Sequence, residues 1–190
     1  MVKLNKLYTK QGDKGQTTLV DGSKIAKCSP QVSCYGDIDE LNSFIGFART
    51  IAQELNQSLI VNQLAQIQND LFDIGAELAS PPTQDTHKFA INAESIAQLE
   101  SWIDQATKST GELHSFVLPG GNQLNASLHM ARAICRRAER SIIAFEQTAS
   151  VRSEIIVYVN RLSDLLFALS RLASLELKTP EYLWKPGGGR

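Results

Sequence analysis

Long apolar runs are missing from this 190-residue chain. The stretch "IIVYV" (155–159) soon meets Asn160 and Arg161, so nothing approaches the ~20 apolar residues of a membrane span. The opening "MVKLNKLYTKQGDKGQTT" lacks the apolar core of a secretory signal. Cysteine is scarce. Cys28, Cys34 and Cys135 are odd in number and show no metal-ligand spacing, which predicts reduced thiols in a cytoplasmic protein. An excess of one charge is missing too: Lys+Arg number 19 against 20 Asp+Glu, a formal net charge of −1. A general polyanion-binding surface is therefore excluded, and any basic site must be local. No internal repeat, alternating β pattern or Ser-His-Asp or Cys-His device is evident, and His87, His114 and His129 read as surface residues.

What remains is ordinary for a globular protein: 43% hydrophobic and 21% charged residues in a length that suits one domain. The expected organisation is a single domain over 1–190, with an N-terminal loop (1–30), a helical bundle (31–178) and a tail (179–190). From Gln31 to Glu54, apolar residues Val32, Tyr35, Ile38, Leu41, Ile45 and Ala48 recur every three or four positions, which predicts an amphipathic helix. Leu59 to Ala79 repeats the pattern and stops at "SPP" (80–82). A third helix is marked by Ile96, Leu99, Trp102, Ile103 and Ala106, with Asn92 as its cap and Gly111 as its end. Leu124–Phe145 and Ser153–Leu177 make the fourth and fifth. The fifth is apolar nearly all round and should lie in the middle. The tail "WKPGGGR" (184–190) is expected to be mobile. The fold class is thus all-α, a bundle of five helices.

The fourth helix concentrates positive charge. In "ARAICRRAERSI" (131–142), Leu128, Ala131, Cys135, Ala138, Ile142 and Phe145 form the core stripe. Arg132, Arg136 and Arg140 run in i, i+4, i+8 order along its edge, Glu139 lies beside them, and Arg137 points elsewhere. A solvated face is one reading. The other is an anion site, because arginine suits bidentate contact with phosphate oxygens. Nucleic acid fits poorly, since no aromatic platform or recognised motif accompanies the arginines; a small polyphosphate fits better.

A second element is "YTKQGDKGQTT" (8–18), with Lys10, Lys14, two glycines, Asp13 and three threonines. Glycines let backbone N–H groups curl toward an anion, lysines add point charges and hydroxyls donate. The spacing is not that of a Walker A loop, and a polar, unstructured terminus is the alternative. Third, Asn160, Ser163, Asp164 and Arg171 interrupt the otherwise apolar fifth helix. They form either a structural network or a ligand contact through Asn160, with Asp164 pairing an arginine.

Six segments in order, "YTKQGDKGQTT", "GDIDELNSFIG" (36–46), "IQNDLFDIGAELASP" (67–81), "FVLPGG" (116–121), "RAICRRAERS" (132–141) and "NRLSDLLFALSR" (160–171), resemble the PduO-type ATP:cob(I)alamin adenosyltransferases over nearly the whole chain. The resemblance implies a ferritin-like five-helix bundle with an ordered N-terminal nucleotide-binding loop, assembled as a homotrimer with sites between subunits. It implies transfer of the 5′-deoxyadenosyl group of ATP to the cobalt of cob(I)alamin, leaving triphosphate.

By that resemblance, ATP would be bound by Tyr8, Thr9, Lys10, Gly12, Asp13, Lys14, Gly15, Thr17, Thr18 and Lys27 of the loop, and by Arg136, Arg137, Glu139, Arg140 and Asn160 of the helices. Mg²⁺ is expected on the triphosphate, with no direct protein ligand. Phe116 would lie under the corrin ring and exclude its lower axial ligand, while Asp39 and Arg132 would join neighbouring subunits near the corrinoid. Phe116, Arg136 and Lys14 would carry catalysis. No permanently bound cofactor is expected; a corrinoid reductase and an adenosylcobalamin-dependent acceptor enzyme are expected partners, and nucleic acid and membrane are not. A corrinoid carrier and a structural bundle are the competing readings.

Overall fold

The computed structural model describes residues 12–80 and 91–189. Five helices carry the chain: α1 (Pro30–Glu54), α2 (Ser58–Leu78), α3 (Ala93–Thr110), α4 (Gln123–Glu146) and α5 (Ser153–Glu176). Their ends follow local chemistry. The Ser29 hydroxyl accepts the Val32 N–H and Pro30 opens α1, where its missing N–H costs nothing. Asn92 and Asn122 cap α3 and α4 through their side-chain oxygens, at 3.0 Å from Ser95 N and 2.7 Å from Asn125 N. Gly111, at φ 71°, releases the chain from α3.

Helix α1 packs between α2 and α4, α4 packs also on α5, and α5 on α3. Tyr158 of α5, fully buried, donates to Asp70 of α2 at 2.6 Å and links the two sides of the bundle. The core runs through Ile38, Leu41 and Ile45, then Leu64, Ile67 and Leu71, to Leu128, Cys135 and Ile142. Helix α5 buries residues all around its circumference, Leu162, Leu165, Leu166 and Leu169 among them, as its apolar composition predicts. Each such leucine contributes about 1.5–3 kcal/mol on burial. Arg152 ties three elements together: it holds Glu77 of α2 at 2.7 and 2.9 Å and donates to Ile91 O at 3.0 Å.

Cys34 and Cys135 are buried thiols. Burial pushes Cys34 up to about 12 and Cys135 higher still, so both stay protonated and inert at neutral pH.

Three expectations fail. The loop over 1–30 contains an antiparallel hairpin, β1 (Gln16–Thr18) paired with β2 (Lys24–Ala26). Asp21-Gly22 sits in its turn, with Gly22 at φ 86° and the Asp21 carboxylate accepting from Ser23 N and Oγ. The tail is held at its start, though exposed: β4 (Tyr182–Leu183) pairs with β3 (Val117–Leu118), and Trp184 meets Phe116. His129 is buried, not on the surface, while His114 is exposed. His87 lies outside the described residues.

Candidate active site

The helical part of the site is built on α4 and α5, which cross where Glu139 faces Asn160. The Asn160 amide donates to Glu139 Oε1 at 2.9 Å, and Arg161 donates to Asn160 Oδ1 at 2.9 Å. Arg161 in turn holds Glu100 of α3 at 2.9 Å. This relay fixes the Glu139 carboxylate at the edge of the arginine row. Asp164, expected to pair with an arginine, is exposed and has no arginine partner among the described residues.

Arg136 and Arg140 are exposed, and neither has a carboxylate partner among the described residues. The Arg140 guanidinium donates to Arg136 O at 3.0 Å. Two uncompensated guanidinium groups one turn apart make an anion-ready edge. Arg137 differs. It pairs with Glu40 and Asp37 of α1, and the Glu40 hydrogen bond holds its pKa above the ordinary arginine value. Ser141 also donates to Asp37, so these contacts anchor α4 to α1.

The N-terminal part is shaped by the hairpin. Gly15, at φ 77°, turns the chain so that its N–H meets Gly12 O at 3.2 Å. Lys27 N–H then donates to Gly15 O at 2.9 Å. The Lys27 ammonium lies so close to Gly12 that a Cβ there would stand 3.0 Å from Nζ. Lys27 is thus folded onto the glycine turn that carries Asp13 and Lys14, both exposed. Thr17 and Thr18 lie on β1, opposite Ile25 and Lys24. Tyr8, Thr9 and Lys10 lie outside the described residues.

Two further features stand apart. Arg132 is half-buried, and its Nε has no hydrogen-bond partner among the described residues. Asp39 is exposed at the rim of an apolar groove of about 360 Å³ between α1 and α2, lined by Tyr35, Ile38, Asn42, Leu71 and Phe72. Asn42 Oδ1 is likewise buried without a partner among those residues. No ion pair joins Asp39 to Arg132 within the chain. Phe116 is 78% exposed at the start of β3, its ring edge-on to Trp184.

Sequence reasoning missed Trp184 and the network behind the "PGG" turn. There, Asn125 Oδ1 accepts Gly120 N–H at 2.9 Å, while its amide donates to Ser170 O and Ser174 Oγ. Asp21-Gly22 was a usable hairpin signal; nothing local marks β4. Among the described residues no cluster of three His, Cys, Asp or Glu side chains forms a metal site, and no helix is long and apolar enough to cross a membrane.

A family model described as cobalamin adenosyltransferase matches residues 7–173. The chain belongs to the cobalamin adenosyltransferase family. It is 42% identical over 193 residues to the corrinoid adenosyltransferase of Mycobacterium tuberculosis, covering 100% of this chain and 97% of that protein. It is 43% identical over 170 residues to the corrinoid adenosyltransferase of Bacillus subtilis, covering 89% and 86%. In three dimensions it resembles a variant PduO-type ATP:corrinoid adenosyltransferase from Lactobacillus reuteri, solved with cobalamin and ATP, at TM-score 0.89 and 37% identity over 95% of this chain and 97% of that one.

Proposed function

We infer that this chain is a corrinoid adenosyltransferase. It transfers the 5′-deoxyadenosyl group of ATP to the cobalt of cob(I)alamin and yields adenosylcobalamin and triphosphate. The observation that carries the reading is the uncompensated pair Arg136 and Arg140 beside the fixed Glu139–Asn160 relay. A solvated arginine face would have no need of that relay.

Cob(I) is itself the nucleophile. Its electron pair forms the Co–C5′ bond, the C5′–O bond breaks, and that electron pair leaves on the triphosphate. No protein nucleophile or general base is required. The protein supplies in-line geometry and stabilises the charge on the departing triphosphate. Arg136, Arg140, Lys14 and Lys27 are suited to the phosphates; Gly12, Asp13, Gly15, Thr17 and Thr18, with Tyr8, Thr9 and Lys10, would close the loop over the nucleotide. Arg137, held by Glu40 and Asp37, would contribute through the long-range field. These cations fit phosphate oxygens and not a metal, so Mg²⁺ would ride on the triphosphate through phosphate and water ligands.

Phe116 would lie against the corrin and exclude the lower axial ligand of Co(II), which favours reduction to Co(I). That reduction takes one electron from a corrinoid reductase, and the product passes to an acceptor enzyme. The assembly is proposed to be a homotrimer working in the cytoplasm. The unpartnered Arg132 Nε and the Asp39 groove support a subunit contact between those two residues.

The test is anaerobic spectroscopy of chemically reduced cob(I)alamin with protein and Mg·ATP. ATP-dependent loss of the Co(I) absorption, giving a light-sensitive alkylcobalamin, is expected. Corrinoid that binds but never reacts would replace the enzyme with a carrier, and no binding at all would return the arginines to a solvated face.

A further inference from the structure

A buried ion pair holds the C-terminal segment against the "FVLPGG" turn. Arg171 of α5 is only 7% exposed. Its Nε lies 3.2 Å from Glu181 Oε1 and its Nη2 3.4 Å from Oε2. The same guanidinium donates to Gly111 O at 2.8 Å and to Thr110 O at 3.1 Å. One side chain therefore pins the end of α3 and the residue immediately before β4. A buried arginine without such acceptors would be costly; here each direction of the fork is used.

The contacts continue from that anchor toward Phe116. The Asn122 amide donates to Thr179 Oγ1 at 2.7 Å. Gly121, at φ 98°, approaches Pro180 O so closely that a Cβ would stand 2.7 Å from it. Leu183 and Tyr182 then pair with Val117 and Leu118. Trp184 N–H donates to Phe116 O at 2.8 Å, and Ser115 Oγ donates to Trp184 O at 3.0 Å. Finally the indole meets the Phe116 ring edge-on, with centroids 6.2 Å apart at 65°. A ribbon of two-residue strands is not stable alone. A largely exposed phenyl ring at its start needs an outside constraint to keep one inclination.

We propose that Arg171 and Glu181 are positioning residues for Phe116: by clamping β4 they set Trp184 and, through it, the ring that excludes the lower axial ligand of Co(II). The inference rests on the role given to Phe116 above and assigns a task to the C-terminal segment. It carries a discriminating consequence. Pre-reduced Co(I) has no lower ligand to lose, so adenosyl transfer to it does not need the ring in place. Only the route that starts from Co(II) depends on the clamp.

The variants are Glu181→Ala, which removes a partly accessible side chain, and Arg171→Lys, which keeps the charge and loses the fork. With cob(II)alamin and Mg·ATP, electron paramagnetic resonance should show at least about a fivefold smaller four-coordinate fraction in both. Transfer to chemically pre-reduced cob(I)alamin should stay within about twofold of wild type, as should the dissociation constant for ATP. An unchanged four-coordinate fraction in both variants overturns the proposal, and so does an equal loss in every readout, which would make the clamp merely structural. Wild-type protein that transfers nothing to Co(I) would instead overturn the adenosyltransferase reading, and the clamp's role with it.

Discussion

Mild acid should destabilise this protein through one side chain, His129. The residue is 4% exposed on the core side of α4. Its ring stands edge-on to Phe167 at 5.9 Å, Nε2 lies 3.2 Å from Ser170 Oγ, and Nδ1 has no partner among the described residues. Burial, and after it the charge of Arg132, lower its pKa from 6.5 to about 4. The unfolded chain thus takes up this proton near pH 6.5, whereas the folded chain resists it down to about 4. Between those values the unfolded state binds more protons, so stability rises with pH. The contribution is complete above 6.5, is lost as pH falls toward about 4, and does not decline further below that. At about 1.4 kcal/mol per pH unit, the interval amounts to about 3 kcal/mol, a large share of a typical domain's stability. Carboxylates titrate in the same range, so the measurement is a comparison. Urea unfolding of wild type and His129→Gln, followed by circular dichroism at one protein concentration, would be run from about pH 7.5 to about pH 4.5. Wild type should lose about 2.5 kcal/mol more than the variant across that range, which stops short of the full interval. Parallel curves would refute the assignment of a neutral, buried imidazole.

Three other outcomes are expected. Arg136→Ala should lower kcat about 100-fold and weaken ATP binding with circular dichroism unchanged, since the side chain is exposed and unpaired; steady-state kinetics with titrated ATP decide this. Gly121→Ala forces a positive φ on a side chain and a Cβ at 2.7 Å from Pro180 O, so thermal denaturation should reveal about 1–3 kcal/mol of lost stability. Arg152→Ala leaves the Glu77 carboxylate and Ile91 O without their donor, and urea unfolding should report a loss of about 3 kcal/mol.

Much of the architecture was legible because helix periodicity is a local property. The apolar steps of Val32 to Ala48 and of Leu64 to Leu78 predict α1 and α2, and Asn92 and Gly111 mark both ends of α3 because capping chemistry acts within one turn. The arginine row is equally local, fixed by spacing along one helix. The β hairpin had a signal in Asp21-Gly22, but its strands are three residues long, too short to show alternation.

Pairings between distant segments had no such signature. Nothing near His129 announces that Phe167 and Ser170, on another helix, enclose it. Nothing near Glu181 announces that Arg171 waits for it under the end of α3. The amino-acid order by itself determined the helices, their caps, the apolar faces and the row of cations, because each depends on neighbours within a few residues. Tertiary structure alone decided which cations remain free, with Arg137 consumed by Glu40 while Arg136 stays open, and which exposed ring is braced by the C-terminal strand. Those outcomes depend on what burial brings opposite a side chain, and a partner's distance in space is not written in its distance along the chain.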